Sequence, residues 1–563
     1  MNLAIWDIES SSANTSWGSI IEVGGILVDP NFKELDRFNF RCRLPEGEVP
    51  QAMALIVNKT SVDLLTKGNL SHYQMLSQLE ATFKKWSPAI FMGWSNIGFD
   101  DEMIRNEFFR GIRYPYITNA TPNKRHDGLN IARGAHAVDE SVIKTETNAK
   151  GNAVMKLESL ARMNGFESSG AHSALFDAEL TVKVLGLIKK NQPQTWDTFL
   201  RTANKSDTET IFKTEKMFTL AEYHFGKNYR FVVAPLHPKH CIHPIYQWGQ
   251  AFDLKIDPIP LFDMSISELK SAIKKLKFLR TIRSNKAPII LDASYGLQVE
   301  PYSNLDPDLI KERAKLVNSN ERFSQNVLTA LRETAEEKAQ FDSQVDLLAE
   351  ETIYKKFTPQ KDTALFPKWH AASWKDKLIL LDKFEDERMV SFGKKIIYQE
   401  SPETLPPDMF KTIKREIAER ILSEEKAQFD SQVDLLAEET IYKKFTPQKD
   451  TALFPKWHAA SWKDKLILLD KFEDERMVSF GKKIIYQESP ETLPPDMFKT
   501  IKRGIAERIL SDEKEKWWTC KEFYFECDNL RDRYTNEKDE KKLKFLDEIN
   551  EFVEGIQKKY EQA

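Results

Sequence analysis

The stretch Ile5-Trp6-Asp7-Ile8-Glu9 constrains this chain more than any other. Apolar neighbours on either side mark a buried strand. Side chains alternate along a strand with a period of two, so Asp7 and Glu9 emerge on one face. Two carboxylates held together at a buried strand end repel each other and are costly to desolvate unless a cation sits between them. A solvated loop with accidental acids is the bland alternative. Three more groups of the right chemistry, Asp100, His172 and Asp177, weigh against it.

With 563 residues the chain is long enough for several domains, since one hydrophobic core rarely grows beyond about 250–300 residues. Its apolar content of 41% and charged content of 30% fit an ordered soluble protein. No apolar run approaches the roughly 20 residues that span a bilayer, and the immediate N-terminal strand leaves no room for a signal peptide. Cys42, Cys241, Cys520 and Cys527 show neither a disulfide framework nor zinc spacing. A cytoplasmic protein with no membrane association is therefore expected. The formal net charge of -4 neither requires nor excludes a nucleic-acid partner, because a local basic groove suffices.

Residues 20–28 read as a second strand, Asp29-Pro30-Asn31 as a turn and Arg37–Leu44 as a third strand, an antiparallel meander leading off the acid-bearing strand. Helical spacing over 71–86 places Tyr73, Leu76, Leu79, Phe83 and Trp86 on one side. Ile90–Trp94 reads as a buried strand followed by a helix from about Phe99 to Phe109, so Asp100 and Asp101 lie at a strand-to-helix junction and only one of them easily faces Asp7. A short helix at 129–135, a loop at 136–152, a helix over Leu157–Met163 and a longer one over Leu175–Lys189 complete an α/β layer architecture. After a link at about 191–210, strands at Tyr229–Pro235, Ile242–Asp253 and Ala287–Leu291, with a helix at Leu269–Lys275, suggest a small β-rich domain. Helical patterning dominates from about 308 to the end.

Residues 336–423 and 424–511 are the same 88-residue text, differing only where Glu416 faces Gly504. Working solenoid repeats diverge as each copy adapts to its neighbours, so near-identity reads as a recent tandem duplication or an error in the record. Only the second copy precedes the unique segment 512–563. The expectation is that the second copy completes the C-terminal domain and the first bulges out between domains.

If Asp7, Glu9, Asp100 and Asp177 converge, they offer hard oxygen ligands suited to Mg²⁺ or Mn²⁺ and poorly suited to zinc. Two such ions about 4 Å apart can activate a water and stabilise the leaving oxygen of a phosphodiester. His172, flanked by Gly170, Ala171 and Ser173, is suited to take a proton from the attacking water; the alternative is a structural or merely exposed histidine. His237, His240 and His243 invite a zinc reading, which the absence of cysteine partners and the breaks at Pro238 and Pro244 disfavour.

These residues lie in three motifs: Trp6-Asp7-Ile8-Glu9; Gly93 through Glu102, continuing Arg105-Asn106-Glu107-Phe108-Phe109-Arg110; and Ala171 through Asp177. With them the chain closely resembles the bacterial exodeoxyribonuclease I family, within the DEDDh class of 3′→5′ exonucleases. The resemblance implies a ribonuclease H-like mixed-sheet exonuclease domain at 1–192, an SH3-like β-rich domain at 198–350 and a helical C-terminal domain at 351–563 carrying the two repeats. It assigns Asp7, Glu9, Asp100 and Asp177 to metal binding, with Mg²⁺ the expected ion and Mn²⁺ a substitute, and His172 to the role of general base. Glu9 and Lys156 would contact substrate. Lys156 stands where the family has an arginine and lacks its bidentate fork; an ordinary solvated lysine is the alternative. The segment Arg125-His126-Asp127-Gly128-Leu129 matches a family segment that carries bulkier residues at positions 126 and 128.

The implied function is Mg²⁺-dependent 3′→5′ degradation of single-stranded DNA to 5′-mononucleotides, in DNA repair and recombination, by a monomer that also binds the acidic C-terminal tail of the single-stranded DNA-binding protein. Phe225, Lys227, Tyr229, Arg230, Trp248 and the Lys274–Lys277 run are candidates for the strand path, combining cations for phosphates with aromatics for bases. The rivals are a 3′→5′ exoribonuclease and a non-catalytic single-stranded DNA-binding protein.

Overall fold

The structure, a computed structural model, describes residues 1–46, 48–168, 173–224, 226–342, 348–422, 460–469, 471, 492 and 518–561. His172, Phe225 and most of the second repeat copy lie outside the described residues. The chain divides into two compact units, one comprising Met1–Pro45 with Ala54–Leu405, the other Glu46–Met53 with Pro406–Ala563.

The first unit is built on a mixed sheet of β1 (Asn2–Ser10), β2 (Ile20–Val28), β3 (Glu34–Arg41), β4 (Ala89–Met92) and β5 (Lys124–Arg125), in the order β3-β2-β1-β4-β5. β1 runs antiparallel to β2 and parallel to β4. The expected meander is present, although β3 begins and ends earlier than the alternation at 37–44 implied. Alternation along β1 separates two cores. Leu3 and Ile5 pack beneath the helices Gly128–Val138, Leu157–Met163 and Ala174–Asn191. Ala4, Trp6 and Ile8 pack against the helices His72–Trp86 and Asp100–Arg110 on the other side. Asp7 and Glu9 continue the Leu3/Ile5 face, toward the helix Ala174–Asn191.

That helix approaches the sheet as closely as backbone allows. A Cβ added to Gly24, which pairs with Asp7, would lie 2.2 Å from the backbone nitrogen of Leu175. Only glycine lets the first helical turn settle there.

The expected link at 191–210 is instead two helices, Pro193–Leu200 and Lys205–Thr214. Proline at the first helical position and the buried Trp196, Phe199, Ile211 and Phe212 account for them. The loop at 136–152 contains the hairpin strand β6 (Glu146–Thr147), paired with β7 (Ala153–Val154). A second sheet follows, of β8 (Phe218–His224), β9 (Lys227–Pro235), β10 (Gly249–Asp253), β11 (Leu279–Ile282) and β12 (Ile289–Leu291), in the order β11-β10-β9-β8-β12. The strand expected over 242–253 is confined to its last five residues, because Pro244 and the left-handed Gln247 (φ 56°) turn the chain before it. Ile289 and Leu291 join the core beneath the first sheet, so the β-rich region shares packing with the nuclease-like layers.

The first repeat copy corrects the expectation that it bulges away. Its Tyr73 partner His370 accepts or donates a hydrogen bond at 2.9 Å, Phe392 meets Phe109 edge-on at 5.2 Å, and Glu400 accepts from Ser71 at 2.7 Å. Tyr73 is thus drawn off the apolar side of its helix toward His370 and Trp374. In the second unit, the helix Pro407–Leu422 of the same copy packs with the terminal helices Cys520–Glu537 and Glu540–Glu561. The reason is a degeneracy: the two copies offer the same side chains at each of these contacts, so contact chemistry in the sequence does not say which one docks.

All four cysteines are buried and outside any disulfide. Among the described residues no helix is long and apolar enough to cross a membrane.

Gly24→Ala is expected to destabilise the protein by roughly 1–3 kcal/mol, the usual cost of overpacking, measured by denaturant unfolding. Removing residues 424–511 leaves every contact just described in place and should leave the thermal midpoint within a few degrees of the full chain; a drop of more than ten degrees by calorimetry would contradict it.

Candidate active site

Three elements deliver the acids. β1 presents Asp7 and Glu9, the first turn of the helix Ala174–Asn191 presents Asp177, and the helix that follows β4 opens on Asp100. Asp7, Glu9 and Asp177 each offer an oxygen, and the three oxygens lie within 4.8 Å of one another. Asp100 is not one of this trio, but its charge acts on both Asp7 and Glu9. Its carboxylate accepts from the Ile8 N–H, on the edge of β1 that β4, ending opposite Ile5, leaves open.

Asp101 points elsewhere. It accepts from Asn96 Nδ2 at 2.9 Å and Thr118 Oγ1 at 2.9 Å, and Arg125 stands 3.5 Å away. One acid of the adjacent pair therefore serves the cluster and the other braces the fold. The rest of this motif is also structural. Glu107 accepts from Ile20 N–H at 3.0 Å and lies 3.1 Å from His72; despite burial, His72 and Arg110 hold its carboxyl down at about 2. Arg105 reaches Asn119 at 3.0 Å and the Tyr354 hydroxyl at 3.3 Å.

The electrostatics mark the cluster as built for a cation. Burial first, then the charges of Asp100, Asp177, Glu9 and Glu22, push the Asp7 carboxyl well above its usual range. Burial, Asp177, Glu22 and Asp100 push Glu9 up to about 8, against the pull of Arg41. Burial raises Asp100 to about 8, opposed by hydrogen bonds from its own N–H and that of Ile8. Carboxylate oxygens alone, crowded and partly protonated without a counter-charge, fit a hard divalent ion.

Two residues of this neighbourhood are not evident from the sequence motifs. Glu22, opposite Glu9 in the β1–β2 register, is 1% exposed and paired with Arg41 of β3. An acid in the otherwise apolar run Ile20–Val28, at a position that pairs with Glu9, is the signal that could have found it.

Lys156 lines a cavity of about 870 Å³ with Arg133, Arg162, Trp94 and Tyr223, none of the trio among its lining residues, and the Arg133 guanidinium there sits 4.1 Å from the Tyr223 ring centre. His126 is buried and neutral: Nε2 meets the Phe199 carbonyl at 2.8 Å, Nδ1 accepts from the Asp127 N–H at 2.8 Å, and burial lowers its pKa to about 4. Of the strand-path candidates, Arg230 is tied to the Tyr295 carbonyl at 3.1 Å, Tyr229 stacks on Phe231 and Trp248 on Tyr246, and Lys277 caps its helix in a left-handed conformation. Lys227 opens β9 and is exposed. His237 and His240 face Glu321, and buried His243 accepts from the Ile245 N–H. Among the described residues the Asp7, Glu9, Asp177 set alone has metal-binding geometry.

A mixed sheet whose central strand brings three carboxylates together is an arrangement able to hold a divalent ion. The chain matches the exonuclease family profile over residues 5–185. It is 28% identical over 218 residues to exodeoxyribonuclease I of Buchnera aphidicola from Schizaphis graminum, covering 38% of this chain and 45% of that protein. With the enzyme of Haemophilus influenzae it shares 28% identity over 307 residues, covering 51% of this chain and 64% of that one. The chain thus spans about half to two thirds of the length of these relatives. In fold it is similar to Escherichia coli exonuclease I solved with a 5cy-dT13 oligonucleotide, at a TM-score of 0.63 and 17% identity over 99% of each chain.

The raised carboxyls set the pH behaviour of the metal-free protein. Free carboxyls ionise near pH 4 in the unfolded chain, so the stability that these acids contribute is present below that pH and lost as pH rises toward the folded value of about 8. In chelator, stability should therefore decline from about pH 4.5 to about pH 8 from this source, and Mn²⁺ should raise the thermal midpoint more at pH 8 than at pH 6. Binding at pH 7 should release about one or two protons, read from calorimetric heats in buffers of different ionisation enthalpy; a proton-neutral titration would contradict this account.

Proposed function

We propose that this chain is a divalent-ion-dependent exodeoxyribonuclease that removes 5′-mononucleotides from the 3′ end of single-stranded DNA. The observation that carries the reading is the meeting of Asp7, Glu9 and Asp177 oxygens within 4.8 Å, beside Asp100, in a buried and mutually repelling cluster. Asp7, Glu9 and Asp177 would hold one ion, with Asp100 serving mainly a second; Mg²⁺ is the proposed ion and Mn²⁺ its substitute. Bound there, such an ion polarises the scissile phosphate and eases ionisation of a water. Glu9 would also meet the terminal nucleotide. His172, one residue before the described Ser173, would take the proton from the attacking water. Lys156, with Arg133 and Arg162 around the same cavity, would neutralise backbone phosphates of the strand.

Single-stranded DNA is favoured as substrate because the relatives matched in sequence are exodeoxyribonucleases. A further similar structure, at a TM-score of 0.61 and 18% identity, is an exonuclease I complex with the SSB C-terminal segment, and the same kind of acidic tail is proposed as a protein partner here. A role in DNA repair, in a monomer working in a reducing cytoplasm, fits four cysteines that form no disulfide.

Asp7→Ala should lower turnover on a labelled single strand by on the order of 10³-fold or more, while binding of that strand in Ca²⁺ persists. Undiminished turnover would refute the assignment. Parallel digestion of DNA and RNA strands of one sequence should favour DNA; equal or faster RNA cleavage would move the substrate class to RNA.

A further inference from the structure

We infer that Glu22 is a positioning residue that locks the Asp177-bearing helix onto the sheet through Ser173. The inference rests on the metal-site reading above and adds a member to it.

Glu22 is an expensive residue where it stands. It is 1% exposed, in a strand whose other side chains are buried, and its charge adds to the repulsion on Asp7 and Glu9. A buried carboxylate beside two others is retained only if its oxygens are occupied. Both are. Arg41 Nη2 pairs with Oε2, and the Ser173 hydroxyl donates to Oε1 at 3.3 Å. With a partner on each oxygen and no place in the trio, Glu22 is set to act through its neighbours.

Ser173 supplies an independent sign. It occupies the N-cap position of the helix Ala174–Asn191, where a serine ordinarily accepts from the first-turn N–H groups, yet it makes no such cap. Its hydroxyl is turned to Glu22 instead. The Ser173 carbonyl accepts from the Asp177 N–H at 2.9 Å, so the residue held by Glu22 is one helical turn from the ligand acid. The linkage runs from Arg41 on β3 through Glu22 on β2 to Ser173 and then Asp177. It acts beside the glycine contact at Gly24, which sets how closely the helix approaches. Gly24 fixes depth; Glu22 fixes rotation and lateral position. Outer partners that orient ligand groups commonly govern metal affinity by 10–100-fold.

The test is Mn²⁺ binding to the full chain by titration calorimetry, alongside cleavage of a labelled single strand and a thermal midpoint for each variant. Glu22→Ala and Ser173→Ala should each weaken Mn²⁺ binding by about tenfold or more and lower kcat, with KM for the strand unchanged. Glu22→Gln keeps an acceptor for Ser173 and should recover affinity to within about threefold of the parent. Parental Mn²⁺ affinity in Glu22→Ala or in Ser173→Ala overturns the inference, as does a Glu22→Gln no better than the alanine. If Glu22→Ala fails to fold, Ser173→Ala decides alone. A parent protein that binds no Mn²⁺ at all would instead sink the metal-site reading itself.

Discussion

Mutual repulsion among buried carboxylates is the constraint on which this structure turns. Asp7, Glu9, Asp100 and Asp177 come from three elements, and bringing them together costs free energy that an apo fold does not recover locally. The surrounding structure holds them regardless. The sheet is buried on both faces, the helix Asp100–Arg110 is pinned to the start of β2 by Glu107, and the helix Ala174–Asn191 lies against Gly24. A site destabilised by its own charges and stabilised by rigid packing is primed for a cation, because the ion relieves the repulsion without requiring the scaffold to move.

The long second motif divides its labour between chemistry and support. Asp100 faces the cluster, whereas Asp101, Arg105 and Glu107 are consumed by hydrogen bonds and ion pairs that fix the helix carrying it. Burying that many charged groups is tolerable because each finds a partner. The motif's length therefore reflects the need to aim one carboxylate from the end of a strand whose neighbour stops short.

The acidic face was legible because its grammar is local. A period of two put Asp7 and Glu9 together, and a strand-to-helix junction placed one of Asp100 and Asp101 in view. What escaped was tertiary. Glu22 sits in a run that reads as ordinary buried strand, and nothing local says that its oxygens reach Arg41 and Ser173. The helices Pro193–Leu200 and Lys205–Thr214 are short and polar on one side, so they read as a link until Trp196 and Phe212 find cores to enter. The strand expected from Ile242 fails for a backbone reason, the turn at Pro244–Gln247.

The repeat exposes a limit of another kind. The side chains that seat the first copy, Tyr354 on Arg105, His370 on Tyr73 and Phe392 on Phe109, recur unchanged 88 positions later as Tyr442, His458 and Phe480. Contact chemistry therefore cannot favour one copy. The recorded difference, Glu416 against Gly504, falls within the helix Pro407–Leu422 of the first copy. Glycine in a helix interior costs about 1 kcal/mol relative to good helix formers, so that single position tilts the choice toward the first copy for the helix beside the terminal pair.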